Sequence, residues 1–183
     1  MIRFFDIFFS SFGLIFLSPL LATIFIIALF DTGAPLFSQE RLGRYERPFI
    51  LKKFRSMSKN TISTASHLAD ASAITPFGHF LRRNKLDELP QLWNVLRGEM
   101  SLVGPRPGLP NQPELTYARR KAGIFAVRPG ITGLAQISGI DMSTPDLLAQ
   151  TDARMIAEMS LNSYLKYILF TVKGKGSGDR IKS

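Results

Sequence analysis

Twenty-four residues from Ile7 to Phe30 carry no charge, and Phe, Ile and Leu dominate them. Written as a helix, that stretch is about 36 Å long, enough to cross a hydrocarbon core of about 30 Å. Ser18-Pro19 falls in its middle. Pro19 lacks an N–H and its ring crowds the preceding turn, so the pattern predicts a kink or break there. Ser18 is placed to satisfy part of the freed backbone. Three readings remain open: a cleaved leader, a straight span, and a helix-break-helix that enters and leaves one leaflet. A leader is disfavoured, because Arg3 is the only basic residue ahead of the run and Asp6 stands beside it.

Beyond the greasy segment the periodicity changes. Leu36–Leu42 and Pro48–Phe54 read as two extended runs around Gly43–Arg47, a predicted hairpin. Residues 58–73 are rich in Ser, Thr and Ala and read as a surface loop or weak helix. Phe77, Phe80 and Leu81 predict a helix over Thr75–Arg83, and Leu86, Leu89, Trp93 and Leu96 a second one that Gly98 stops. Glu114–Ala122 reads as a helix with three basic residues in its last turn, and Ile124–Ile137 as loop with a short strand. Asp152–Val172 reads as one long helix with Leu161, Leu165, Ile168 and Val172 on a single face. Tyr164, Tyr167, Lys166 and Lys173 suit such a helix lying at a membrane surface, and packing on the core suits it equally. No internal repeat is present. The tail from Gly174 is rich in Gly and Lys and is expected to be flexible.

At 183 residues the chain has the length of one domain. Charge is distributed unevenly: apart from Arg3, Asp6 and Asp31, which flank the apolar run, 22 Lys/Arg face 12 Asp/Glu. Arg41, Arg44, Arg47, Lys52, Lys53 and Arg55 follow the apolar segment closely, which predicts a cytoplasmic body. There is no cysteine, so disulfides and thiolate zinc sites are excluded, and His67 and His79 are the only histidines. A Walker loop and a G-x-G-x-x-G fingerprint are absent, as are D-x-D pairs and nucleic-acid-binding modules.

The candidate chemistry lies in LDELPQLWNVLRGEMSLVGPRP, Leu86–Pro107. As plain structure, Asp87 caps a helix and Glu88 sits in its first turn. As chemistry, a carboxylate among Arg82, Arg83, Lys85, Arg97 and Arg106 stays ionised, and an ionised carboxylate attacks phosphorus in aspartyl-phosphate enzymes. The same cations, or a divalent ion bridging carboxylate and phosphate, would neutralise a diphosphate. Pro105-Arg106-Pro107 is either a tight turn with a solvated Arg or a preorganised phosphate clamp. Lys53 and Arg55 share a face only if the strand continues through both. Gly130, Gly133 and Gln136 offer a backbone loop for phosphate.

With Lys53–Met57, Leu86–Gln91, Ser101–Pro107 and Val127–Gln136 in order along the chain, the sequence resembles the bacterial sugar transferases, specifically the monotopic phosphoglycosyl transferases typified by PglC. The resemblance implies an α/β fold: a small, mostly helical catalytic domain with a short hairpin and interfacial amphipathic helices. Residues 1–31 would form a re-entrant membrane helix broken at Ser18-Pro19, 32–173 the cytoplasmic catalytic domain, and 174–183 a flexible tail. It implies a monotopic enzyme on the cytoplasmic face of the bacterial inner membrane, moving a phosphosugar from a UDP-sugar to a polyprenol phosphate (undecaprenyl phosphate). UMP is released through an aspartyl-phosphosugar intermediate, as the first membrane step of glycoconjugate assembly. By position, Asp87 would be the nucleophile and a ligand of Mg2+, with Glu88 assisting. Lys53, Arg55, Arg82, Pro105, Arg106, Pro107, Arg128 and Gln136 would form the substrate site. Nucleic acid is not among the expected partners. Four departures stand out: Ile140-Asp141 after Gly139, Met155 and Glu158 where Tyr and Asn are expected, and Tyr164 where Asp is common.

Overall fold

The computed structural model describes residues 1–59 and 71–174. Expectations for residues 60–70 and for the tail beyond 174 lie outside the described residues. The apolar run folds as two 15-residue helices, α1 (Ile2–Phe16) and α2 (Ser18–Thr32), bent by 63° at Leu17. Pro19 sits in the first turn of α2, where its missing N–H costs nothing, and the Ser18 hydroxyl donates to the Ile15 carbonyl at 2.8 Å. Among the described residues, no single helix is long and apolar enough to cross a membrane.

Both ends of the bent pair are fastened to the same body. At the start, the Arg3 guanidinium donates to the carbonyls of Leu96 and Met100, and Asp6 is buried. At the end, the Thr75 hydroxyl donates to Asp31 at 2.7 Å. Ile2, Phe5 and Phe9 of α1 pack on the core, whereas Phe4, Phe8, Phe12, Ile15 and Phe16 are exposed. The V therefore presents its apolar outer faces and keeps both arms on one side.

The body begins with the expected antiparallel hairpin, β1 (Leu36–Leu42) paired with β2 (Pro48–Phe54). Helices α3 (Pro76–Arg83), α4 (Gln91–Leu96) and α5 (Pro113–Lys121) follow, with the short strand β3 (Ser101–Val103) between α4 and α5. Then come β4 (Gly130–Thr132), α6 (Leu134–Ile137), α7 (Pro145–Ala157) and α8 (Leu161–Val172). β3 pairs in parallel with β4, a contact the pattern did not reveal because each strand has only three residues. The core collects Phe49, Leu51, Val95, Met100, Leu102, Val103, Met155, Tyr164 and Tyr167.

Two expectations need correction. The long helix over Asp152–Val172 is two helices, because Ser160 forms a reciprocal capping box with Ser163 and starts α8 afresh, while α7 begins upstream at Pro145. Tyr164 and Tyr167 face the core, and it is Leu165, Leu169 and Val172 that α8 exposes. Helix capping does not explain Asp87 either. Lys85 precedes a 3-10 turn over Leu86–Glu88 at φ 56°, Pro90 occupies the cap of α4, and neither makes a side-chain cap bond.

Candidate active site

The left-handed backbone of Lys85 turns the chain sharply out of α3, a conformation that non-glycine residues hold only under tertiary constraint. The turn it starts carries Asp87 and Glu88 into the body, where they are 4% and 8% exposed. One Glu88 oxygen, Oε1, receives two cations: Lys53 Nζ at 3.3 Å from the end of β2, and Arg106 Nη2 at 3.0 Å from the loop after β3. Burial lowers the pKa of Lys85, Glu88 pulls it back up, and Arg106 pushes it down. Asp87 thus lies beside a carboxylate bracketed by cations, in a cluster built from three separate segments.

Pro105-Arg106-Pro107 is the most firmly held part of the site. Its first carbonyl, Pro105, accepts from Gly130 N at 2.8 Å. The Arg106 carbonyl accepts from Arg119 Nη1 at 2.7 Å, and Pro107 from Arg41 Nη1 at 3.1 Å. Gly108 accepts from Leu42 N at 3.0 Å. Four consecutive carbonyls are satisfied, so the loop has little freedom and delivers the Arg106 side chain to Glu88 in one orientation. Gly130 is required by this crossing: a Cβ there would stand 2.0 Å from Gly104 N.

The other expected residues separate into two groups. Arg82 donates through Nε to Ser56 Oγ at 2.9 Å, and its Nη1 is buried without a partner among the described residues. The Gln136 amide is likewise buried without a partner there, close to Gly133, whose Cβ position lies 2.6 Å from the Gly104 carbonyl. Buried donors in this condition point to a ligand or a water. Arg55 and Arg128 lie elsewhere. The strand ends at Phe54, so Arg55 leaves the Lys53 face and donates to the carbonyls of Ala34 at 2.9 Å and Leu36 at 3.3 Å. Arg128 donates to the Gly98 carbonyl at 2.8 Å and lines a cavity of about 280 Å³ with Arg3 and Arg44.

Sequence reading missed the supports. Arg119 and Asp152 pair at 2.7 Å with 3% and 0% side-chain exposure, joining α5 to α7 beneath the loop. Burial raises the Asp152 pKa and lowers that of Arg119, and each partner opposes the shift of the other. Asp6 accepts from Ser101 Oγ (2.8 Å), Leu102 N (2.9 Å) and the Tyr164 hydroxyl (2.8 Å). The departures at Met155 and Tyr164 are therefore core positions, and Glu158 pairs on the surface with Arg154.

For a metal, no group of three or more His, Cys, Asp or Glu side chains converges among the described residues. A magnesium ion is commonly held by one or two carboxylates plus substrate phosphates and water. The adjacent Asp87 and Glu88 fit such a substrate-completed site.

The chain matches the family model for bacterial sugar transferases over residues 1–176. It is 42% identical to a UDP-galactose-lipid carrier transferase of Erwinia amylovora, covering 67% of this chain and 29% of that one. It is 38% identical to an undecaprenyl-phosphate glucose phosphotransferase of Komagataeibacter xylinus (93% and 35% covered). With an undecaprenyl-phosphate galactose phosphotransferase of Salmonella typhimurium it shares 33% identity (93% and 39% covered). The chain thus spans about a third of the length of these relatives. On a match running from the first apolar helix past α8, the chain belongs to the bacterial sugar transferases.

Proposed function

We propose that the protein transfers a sugar 1-phosphate from a UDP-sugar to a polyprenol phosphate such as undecaprenyl phosphate, in two steps through Asp87. In the first, a carboxylate oxygen of Asp87 attacks the phosphorus that carries the sugar. The bond from that phosphorus to the bridging oxygen breaks, and UMP leaves with the bridging oxygen. In the second, an oxygen of the polyprenol phosphate attacks the same phosphorus and the Asp87 carboxylate departs, leaving a polyprenyl diphosphate sugar. Splitting the transfer lets a soluble donor and a membrane-bound acceptor use one site in turn.

The observation that carries this reading is the pair of cations on Glu88 Oε1 beside Asp87. Glu88 holds Lys53 and Arg106 at a fixed separation, so an incoming diphosphate meets charges already oriented, and no reorganisation is needed as negative charge moves to the leaving group. Glu88 in this role is a positioning carboxylate. Arg82, through its unpartnered Nη1, is a further phosphate donor. Magnesium, held by Asp87 and Glu88 together with substrate phosphate, would supply additional charge neutralisation.

The bent α1–α2 pair fits a re-entrant anchor, and both of its ends meet the same body. With the basic cluster after α2, this supports a monotopic enzyme on the cytoplasmic face of the bacterial inner membrane. The decisive experiment is UMP release by detergent-purified protein with undecaprenyl phosphate, magnesium and a panel of UDP-sugars. Release with one sugar, reduced at least about a thousandfold in Asp87→Asn, is the expected result. Sustained turnover in the variant would remove Asp87 from the nucleophile's role.

A further inference from the structure

A cavity of about 330 Å³ opens beside Glu88, with Lys85 and Glu88 as its charged groups and Leu89, Leu92, Ile168 and Val172 among its apolar lining. That combination, a mostly apolar lining with two charged side chains, is the form of a site for an amphiphile. The second observation lies on α8. Ile168 and Val172 are shared between the cavity wall and an outward stripe with Leu165 and Leu169, which are 40% and 49% exposed, while Val172 is 80% exposed. At 3.6 residues per turn these four positions occupy one continuous face. The apolar lining thus reaches from the neighbourhood of Glu88 to the outer surface of α8.

We propose that this cavity is the acceptor subsite: it takes the first isoprene units of a polyisoprenyl phosphate, which enters sideways over α8 from the bilayer while its phosphate stops at Lys85. The inference rests on the reading above that the acceptor is such a lipid. The lining also holds Asn84, Thr132 and Thr171, but Asn84 Nδ2 donates to the Phe80 carbonyl and the two threonine hydroxyls bond each other, so a uridine ring would find few partners there; an isoprenoid chain needs none. Lys85 supplies the positive charge that a lipid phosphate requires, next to Glu88 and its two cations. The chain's own geometry thereby separates the two substrates, the nucleotide toward the fixed Pro-Arg-Pro loop and the lipid toward α8.

The test reads binding without needing turnover. A polyisoprenyl phosphate carrying a diazirine in its first isoprene units is photolysed with the full-length protein in nanodiscs, and the labelled peptides are mapped by mass spectrometry. Label on residues 86–92 and 168–172, reduced at least about tenfold in Ile168→Trp and in the more exposed Val172→Trp, supports the subsite. Label confined to α1 and α2, or undiminished in both folded variants, overturns it. Kinetics provides the second reading. Val172→Trp is expected to raise KM for the lipid about tenfold with KM for the UDP-sugar unchanged, and a rise in the UDP-sugar KM alone would overturn the assignment. Wild-type protein that crosslinks as expected yet releases no UMP would refute the catalytic reading and leave the subsite standing.

Discussion

Arg119 bridges Asp152 at 2.7 Å and the backbone carbonyl of Arg106 at the same distance, with both side chains almost wholly buried. The pair is incompletely satisfied, since Arg119 Nε and Asp152 Oδ1 lack partners among the described residues. Burial raises the Asp152 pKa, opposed by Arg119, so folding favours its protonated form and the stability this group contributes falls as pH rises above its ordinary value. An ion pair of this kind is poorly explained by stability. Its product is the fixed position of Arg106.

That separation of roles is measurable. Arg119→Met/Asp152→Leu is expected to melt at or above the wild-type temperature, because replacing a whole buried pair by apolar side chains is neutral or stabilising by about 1–4 kcal/mol. UMP release should nevertheless fall, with KM for the UDP-sugar rising. Asp152→Asn alone, which strands the guanidinium, is expected to destabilise by about 3–5 kcal/mol. A double variant with full activity would show that the pair does not position the loop.

Lys85 reports on the charges of the site. Its pKa is lowered by burial, raised by Glu88 and lowered by Arg106. Glu88→Gln should therefore lower it further and Arg106→Gln raise it. The pH dependence of Lys85 acetylation, followed by mass spectrometry, reads both variants, and equal midpoints in the two would contradict the geometry. Because its folded-state pKa is lowered, stability attributable to Lys85 is gained as pH rises through that value and is weakest below it.

Gly130→Ala is expected to be severe. The added Cβ would meet Gly104 N at 2.0 Å, backbone against backbone, with no flexible side chain to yield. Overpacking costs about 1–3 kcal/mol in ordinary cores, and this substitution should reach or exceed that. Thermal unfolding of the purified variant is the measurement, and an unchanged melting temperature would mean the two strands separate easily.

Tyr164 provides the contrast between this chain and the family pattern. Tyr164→Phe removes one of three donors to Asp6 and is expected to cost about 1–3 kcal/mol. Tyr164→Asp, the residue the pattern favours, sets a second carboxylate against buried Asp6 and is expected to cost more. Comparable melting temperatures for the two variants would sink the idea.

Because the chain has no cysteine, an introduced one is a clean topological probe. Ile2→Cys is expected to resist a membrane-impermeant thiol reagent applied from the periplasm, and Pro19→Ala, which favours a continuous helix, to expose it. Identical labelling with and without Pro19→Ala would remove Pro19 from control of the bend.

Much of this was legible in the chain because it is local. The bend follows from Ser18-Pro19, the hairpin limits from two extended runs, and the acid pair and Arg106 from their own motifs. What escaped is what the fold creates at a distance. Nothing near Arg119 announces Asp152, 33 residues away, and the three-residue strands β3 and β4 are too short to leave a period. The path of Arg55 is another such case, since the strand ends at Phe54 and its guanidinium turns back to the Ala34 carbonyl.

The contact from Tyr164 to Asp6 spans 158 positions. A ribosome makes the carboxylate well before Ser101 and Leu102, and the phenolic partner later still. The apolar V is therefore complete before the body groups that satisfy Asp6 exist, and until then only Arg3 of α1 stands near that charge. Full satisfaction of Asp6 consequently waits for α8, and one hydrogen bond ties the final seating of α1 to that helix.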